Sequence, residues 1–491
     1  MSTVGTRRSP AAVAARKAPP ASYVPSLIAI GLVVSLISSL GAPLIPTIAA
    51  ELHISLAAAQ WSLTATLLVG AVTSPLVGRL GDGPHRRTVL LVCLTLVTAG
   101  GVLAALAGGL PALVAGRALQ GLGLAVMPLT IASARDHLPG RRAGSVIATL
   151  SVTTAIGVGF GYPLTGLIAL QFDAAAAFWF GAIASAVMVV LAFLFVPAPS
   201  ARAEPEPLDV AGAVLIGGGV LALLLAMEKG TEWGWGARST LGLLALAIVL
   251  LALFARNELR VARPLVELRL VRHRAVLTAN VSAFVLGVAM YMGISLITQV
   301  VQLPAGLDET VFVSGLTLLP MSLAAMISTR ALPFVRRRAG ARATIPIGTF
   351  VLGCSMLFFG LTGDALWQAF VMMGVVGFGV GFTFAAMPGL IVGAVPLRET
   401  SSAISLYQVT RYVGFSIGSG LAITLLRAFA GDAAPTEAAY RSTFLVGAAL
   451  CALASLLAWV LPGRATFARA GAGDPAPEVA ESELAAAGLG R

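Results

Sequence analysis

Residues 78–87 read Gly-Arg-Leu-Gly-Asp-Gly-Pro-His-Arg-Arg and link two long apolar runs, 58–80 and 88–108. Each run has about 20 residues, which is enough for a helix to cross the hydrocarbon core of a bilayer. A short polar turn rich in arginine is typical of a cytoplasmic connection between two such helices. The segment therefore predicts a pair of membrane-spanning helices.

The whole chain repeats this pattern. Apolar residues make up 58% of the 491 residues and charged residues 11%, whereas a soluble domain carries about 25% charge. These values exclude a set of soluble domains and indicate an all-α polytopic membrane protein. Fourteen apolar runs can span a bilayer, at 23–49, 58–80, 88–108, 111–134, 143–171, 175–196, 208–228, 238–255, 275–302, 308–331, 343–362, 366–394, 399–429 and 441–462.

Arginine and lysine predict the orientation. With the N-terminus inside the cell, 26 of the 32 basic residues fall in the tails and inner loops and four fall in outer loops. Cytoplasmic segments carry this excess. We therefore predict that both termini are cytoplasmic. The two remaining basic residues, Arg117 and Arg411, lie inside spans.

An internal repeat at an offset of 257 residues divides the chain into two similar halves. The matched residues include Pro139 with Pro396, Arg141 with Arg398, Thr153 with Thr410, Gly157 with Gly414, and Gly161 with Gly418. Parallel repeats of this kind suit alternating access around a central site. We predict a disordered N-tail (1–22), an N-terminal six-helix bundle (23–197), two linking helices with a cytoplasmic loop (198–269), a C-terminal six-helix bundle (270–462) and a disordered C-tail (463–491).

Several classes of site are excluded. The three cysteines lie apart in apolar stretches, which argues against a disulfide framework and a cysteine-ligated metal. The chain has two lysines and no phosphate-binding loop with its lysine, so an ATP-driven pump is excluded. The basic run Arg336–Arg338 is a membrane-flanking anchor rather than a nucleic-acid patch. We predict no cofactor, no metal and no nucleic-acid partner.

The segment 78–87 resembles the G-x-L-a-D-r-x-G-R-R signature of the major facilitator superfamily, with His85 in place of the usual glycine. The resemblance implies a conformational latch between the two halves, formed by Gly78, Asp82, Arg86 and Arg87. For the arginines alone, the excess of positive charge at the cytoplasmic side is a sufficient explanation.

Arg117, Gln120 and Gly121 resemble the family's R-x-x-q-G-x-g motif. An arginine at bilayer depth costs about 2.5–3.5 kcal/mol on insertion scales, so it faces the bundle or a wet cavity. The resemblance implies that Arg117 and Gln120 act in proton coupling. The alternative is an arginine held by backbone carbonyls of span 1.

The fifth span carries Gly157, Gly161, Pro163 and Gly166 and resembles the antiporter motif g-x-x-x-G-P-x-x-G-G, with Tyr162 inserted. Glycines at this spacing allow close approach of helices, so a packing role stands beside a coupling role.

Taken together, residues 23–462 resemble the drug:proton antiporters with fourteen spans. The resemblance implies a monomeric transporter in the plasma membrane that exports small amphiphilic compounds in exchange for protons. Two bundles of six helices would flank two linking helices.

One departure affects the mechanism. These antiporters commonly carry an acid in span 1, whereas residues 38–46 hold none, and all 21 acidic residues lie in loops, in tails or near span ends. Arg117 and Arg411 would then make the central cavity electropositive and favour neutral or anionic substrates, unless carbonyls, Gln120, Gln408 or tyrosines bind both guanidinium groups. The alternative function is a facilitator or symporter of a neutral or anionic metabolite, without proton antiport.

The candidates for the substrate cavity are polar or aromatic residues at suitable depth. They are Ser39, Trp61, Thr154, Gln299 and Tyr407, with Gln408 and Arg411 beside them. An enzyme is the rival class, because Gly414, Ser416 and Gly418 match a G-x-S-x-G nucleophile pattern. A nucleophilic serine needs a nearby base, and all four histidines lie at span boundaries or in loops. We therefore predict a transporter and not an enzyme.

Overall fold

The computed structural model describes residues 20–82, 85–197, 209–261, 264–265, 268–269, 274–303, 306–392, 400–431 and 435–460. Within these residues the regular structure is helical. The helices are α1 (Tyr23–Ser39), α2 (Ile45–Glu51), α3 (Leu56–Asp82), α4 (Arg86–Ala105), α5 (Leu110–Gly121), α6 (Val126–His137), α7 (Gly140–Gln171), α8 (Ala174–Phe195), α9 (Val210–Trp233), α10 (Arg238–Arg260), α11 (Arg274–Gln302), α12 (Val311–Thr317), α13 (Leu319–Thr362), α14 (Leu366–Val392), α15 (Thr400–Ala430) and α16 (Glu437–Val460). The predicted tails fall almost wholly outside the described residues.

The outward helix faces are apolar, as a lipid environment requires. Ile183 of α8 is 62% exposed, Ile248 of α10 68% and Phe350 of α13 59%, whereas soluble proteins rarely expose contiguous apolar surface of this extent. Among the described residues, twelve helices are long and apolar enough to cross a membrane, and Tyr23–Ser39 and Ile156–Gln171 are shorter apolar helices. The all-helical membrane fold is confirmed, and the number of fourteen spans stays a prediction.

Three of the predicted spans are interrupted in the structure. Span 23–49 breaks between α1 and α2 at residues 40–44, where Pro43 cannot donate a helical hydrogen bond, and Pro46 lies in the first turn of α2. A 3-10 turn (Leu122–Ala125) separates α5 from α6 inside span 111–134. Span 308–331 is divided between α12 and α13. The range given for α13 comprises two helices that meet at Gly340, whose φ of +79° is not helical.

The two repeats pack their matched glycines in the same way. In the first, α7 crosses α1, and a Cβ on Gly157 would lie 2.7 Å from the carbonyl oxygen of Leu32. In the second, α15 crosses α11, and a Cβ on Gly414 would lie 2.5 Å from the carbonyl oxygen of Phe284. Each close approach leaves no room for a side chain. The exact bundle boundaries, 23–197 and 270–462, stay a prediction.

The linking helix α9 contacts both halves. Gly217 of α9 lies against Val72 of α3, and Thr424 of α15 donates a hydrogen bond of 3.4 Å to the carbonyl oxygen of Met227. Its partner α10 packs along α9 on the outer side. The pair therefore covers the seam between α3 and α15.

Candidate functional site

Hydrogen bonds join the two halves at one end of the bundle, where α2 and the start of α3 meet the ends of α11 and α15; we call this region the sealed end. Gln60 of α3 donates a hydrogen bond of 2.6 Å to Ser419 of α15 and accepts one of 2.9 Å from Ser295 of α11. The hydroxyls of Thr64 and Ser419 are 2.9 Å apart. Three further bonds run from Gln302 to the carbonyl of Pro43, from Ser416 to the carbonyl of Thr64, and from Arg427 to Ser55.

The helix α7 contacts both halves through alternate glycines. A Cβ on Gly159 would lie 2.6 Å from the Cβ of Ser322, and one on Gly166 would lie 2.6 Å from the carbonyl oxygen of Val311. Ser322 and Val311 belong to the second half. Gly157 and Gly161 instead face α1. The segment that resembles the antiporter motif, with Pro163 inside it, is thus a joint between the halves as well as a packing surface.

Arg117 is completely buried in the first half. Its Nε donates to the carbonyl oxygen of Ser62 at 3.3 Å, its Nη1 donates to the side chain of Gln120, and its guanidinium lies 5.6 Å from the Phe178 ring centroid. Nη2 abuts Gly41 and has no hydrogen-bond partner. The carbonyl that binds Arg117 comes from α3, whereas span 1 supplies only the glycine contact. No carboxylate is among these described contacts.

Arg411 lies among aromatic rings in the second half. Its Cζ is 5.2 Å from the ring centroid of Phe384, 5.5 Å from Tyr407, 5.1 Å from Tyr412 and 5.7 Å from Phe415. Each such cation–π contact contributes about 0.5–2 kcal/mol, depending on how far it is desolvated. We call these four rings the aromatic cage. They place a positive charge near the middle of α15.

The predicted latch is only partly described. The contacts of Gly78 and of the Asp82 side chain are outside what the structure describes. Arg86 donates a hydrogen bond of 3.2 Å to the carbonyl oxygen of Ala132 in α6, and Arg87 donates to the carbonyl of Phe193 in α8. Both of these contacts stay within the first half.

The predicted cavity residues do not converge on one point. Ser39 donates to the carbonyl of Leu36 in its own helix and packs against α7. Trp61 lines a small cavity beside α9 and α15. Gln299 is completely buried, and its Nε2 donates to the carbonyl of Ser295. Tyr407 belongs to the aromatic cage with Arg411, and the side chain of Gln408 is half-buried beside them. The side chain of Thr154 lies outside the described residues.

Two features of the structure are not apparent from the sequence. A cavity of about 870 Å³ opens at the sealed end and is lined in part by Ser55, Lys229, Trp235 and Arg427. At the opposite end of the linking pair, Asp209 caps α9 and accepts a hydrogen bond of 2.8 Å from Asn257 of α10. Each is assembled from residues distant in the chain, which periodicity alone does not connect.

Comparison with known proteins decides the family. The family model described as Major Facilitator Superfamily matches residues 27–419 and 337–485. The chain belongs to the Major Facilitator Superfamily. It is 27% identical over 426 residues to the tetracenomycin C resistance and export protein of Streptomyces glaucescens, which covers 84% of this chain and 78% of that protein. It is 27% identical over 374 residues to the multidrug resistance protein Stp of Mycobacterium tuberculosis, covering 75% and 69%.

Solved structures of this superfamily share the fold. The peptide transporter POT in complex with sulfate superposes with a TM-score of 0.68 at 16% identity, covering 90% of this chain and 94% of that one. The nucleoside transporter NupG gives a TM-score of 0.65 at 14% identity, covering 90% and 100%. At these identities the likeness concerns the fold alone.

Membership of the Major Facilitator Superfamily makes this chain a multi-span membrane transporter of small molecules and not an enzyme. Ser416, the serine of the G-x-S-x-G pattern, is completely buried and donates a hydrogen bond of 3.3 Å to the carbonyl of Thr64. Its flanking glycines, Gly414 and Gly418, pack on α11. The pattern is therefore an interface between helices.

Proposed function

We propose that this transporter exports small amphiphilic organic compounds by alternating access, in exchange for protons. Three relatives support export, because they are named as a tetracenomycin C resistance and export protein, a multidrug resistance protein and a probable actinorhodin transporter. The last, from Streptomyces coelicolor, is 25% identical over 403 residues.

The main support for alternating access is the type of hydrogen bond found at the sealed end. The bonds of Gln60, Thr64, Ser295 and Ser419 join neutral amide and hydroxyl groups. Each neutral hydrogen bond contributes only about 0.5–1.5 kcal/mol net, because water replaces it when it opens. An interface of this kind separates and re-forms at modest cost, as one half tilts against the other.

The excess of arginine in the tails and inner loops supports a cytoplasmic location of both termini, with the sealed end outside the cell. In that orientation the structure is closed at its outer end, through which an exported compound would leave.

We propose a monomer in the plasma membrane. Gly78, Asp82, Arg86 and Arg87 would then latch the opposite, cytoplasmic end. Gly157, Gly161, Pro163 and Gly166 would transmit the tilt through α7, while Arg117 and Gln120 would take part in proton coupling.

A specific observation favours the alternative, a facilitator or symporter of a neutral or anionic metabolite. Proton antiport needs a group that changes charge during the cycle. In the described helices the acids lie near helix ends, as Glu51, Asp209 and Glu258 do, and the contacts of Arg117 include no carboxylate.

Inside-out membrane vesicles with an acid lumen separate the two functions. Tetracenomycin C and ethidium are added as probes, a pH-sensitive dye reports the lumen, and vesicles without the protein are the control. Proton antiport predicts that a transported probe accumulates inside and raises the luminal pH. Probe movement without a change in pH supports the alternative, and failure to move any compound in a chemically mixed panel contradicts export itself.

A further inference from the structure

The aromatic cage is more than a set of contacts that bury an arginine. Arg411, Phe384 and Tyr412 are each half-buried rather than buried. The cage continues into Tyr291 of α11, whose ring stacks on Phe415 with centroids 4.4 Å apart. Three helices, α11, α14 and α15, thus bring one guanidinium and five rings together, and three of these side chains keep part of their surface exposed.

The charge of Arg411 is without an acidic partner among the described residues. Its contacts are four ring faces and side-chain hydrogen bonds with Tyr407 and Tyr412, and its buried Nε has no hydrogen-bond partner. A planar guanidinium can bind a carboxylate or phenolate through the N–H groups along its edge. In Arg411 the tyrosine hydroxyls take part of that edge, and Nε is the donor that still lacks a partner. An anion that enters the cage would satisfy it.

The cage borders the first half. Ser416, the residue after Phe415, donates a hydrogen bond of 3.3 Å to the carbonyl oxygen of Thr64 in α3. A molecule bound there would contact the groups that separate when the halves tilt.

We propose that Arg411 and the rings of Phe384, Tyr412 and Phe415 form the substrate site, and that it selects planar aromatic compounds that carry an anionic group. The anion pairs with the edge of Arg411, and the flat ring system stacks on the neighbouring aromatic faces. Cationic compounds of the same shape are disfavoured by the charge of Arg411. The substrate class rests on the proposed transport function.

Binding of matched dyes to the purified protein in phosphatidylcholine nanodiscs tests the site. Fluorescein, which is anionic in mildly alkaline buffer, and the cationic tetramethylrhodamine ethyl ester share a planar xanthene ring. Decanesulfonate supplies an anion without a ring. Wild-type protein is expected to bind fluorescein more tightly than either of the other two.

Substitutions then separate charge from stacking. Arg411→Gln is expected to weaken fluorescein binding about tenfold or more, because a hydrogen-bonded charge partner is lost, and to leave the cationic dye unchanged or bound more tightly. Arg411→Lys keeps the charge, and its affinity for fluorescein should lie between those of the wild type and Arg411→Gln.

Tyr412→Leu and Phe384→Leu should weaken the binding of fluorescein more than the binding of decanesulfonate. The matched control is Arg338→Gln, which removes an exposed arginine that stacks on Phe334 at 4.5 Å outside the cage, and should change nothing.

Tighter binding of the cation by the wild type, or equal effects of Arg411→Gln on both dyes, would overturn the assignment. If Arg411→Gln fails to fold, Tyr412→Leu and Phe384→Leu retain the charge and still decide whether the rings bind the ligand. Equilibrium binding does not require pumping. Selective binding without flux would therefore refute the transport proposal alone, and flux without selectivity would refute this site alone.

Discussion

Gln60 and Ser419 lie on different halves of the transporter and share a hydrogen bond of 2.6 Å in the closed interface. Both side chains are buried, at 3% and 0% exposure. The Ser419 hydroxyl also pairs with Thr64. A single small residue of the second half thus satisfies two polar groups of the first.

Ser419→Ala should loosen the sealed end. Both Gln60 and Thr64 lose their shared partner, and a buried polar group left unpaired costs about 1–3 kcal/mol, so the open state should be populated about fivefold more or higher. The reporter is Ala57→Cys, which lines the adjoining cavity, and the measurement is its labelling rate with an impermeant maleimide. Ser355→Ala is the control, because Ser355 is buried but bonds only to the carbonyl of Leu352 in its own helix. Equal labelling rates in Ser419→Ala and Ser355→Ala would contradict the view that the bonds of Ser419 hold the sealed end closed.

Valine at the matched glycines should destabilise the fold. In Gly157→Val and Gly414→Val the new side chain meets the carbonyl oxygens of Leu32 and Phe284, and such overpacking costs about 1–3 kcal/mol. The Tm of the detergent-purified protein should fall in both. Gly242→Val is the matched control, because a Cβ at this helical glycine of α10 meets nothing within 4 Å. A fall in only one repeat would show that the halves do not pack alike.

Arg117→Gln should leave the protein folded and impair transport. Burial of this guanidinium is unfavourable by about 2.5–3.5 kcal/mol on insertion scales, and its described contacts include no carboxylate that would be left behind. We therefore expect an unchanged or higher Tm, with vesicle transport reduced about tenfold or more. The same substitution at exposed Arg238 should affect neither. A large loss of Tm in Arg117→Gln would instead point to a buried acidic partner.

The sequence predicted the all-helical membrane class and the two arginines inside spans, because apolar length and the scarcity of charge are properties of the chain itself. It also predicted which glycines repeat, such as Gly157 and Gly414. It did not predict the helix breaks in three spans, since Pro43 in an apolar run is compatible with either a kink or a break.

The sequence does not show which side chains point into the bundle and which point towards lipid. Helices that are apolar all round carry no stripe that marks the interior, so the bond of Arg117 to Ser62 of α3 rather than to span 1 was not predicted. Gln60, Ser295 and Ser419 are common polar residues with no motif, and only the fold brings them together. Ser39 was expected in the cavity and instead packs α1 against α7.

Reversible locking of the sealed end tests alternating access most directly. The three native cysteines are replaced, Ser55→Cys and Arg427→Cys are introduced at a pair joined across the halves at 3.2 Å, and a short methanethiosulfonate linker connects them. The control pair, Asp364→Cys and Glu437→Cys, lines one cavity within the second half. Linking Ser55→Cys to Arg427→Cys should abolish vesicle transport and reduction should restore it, while the control pair has no effect. Full transport with the two halves linked would contradict the account.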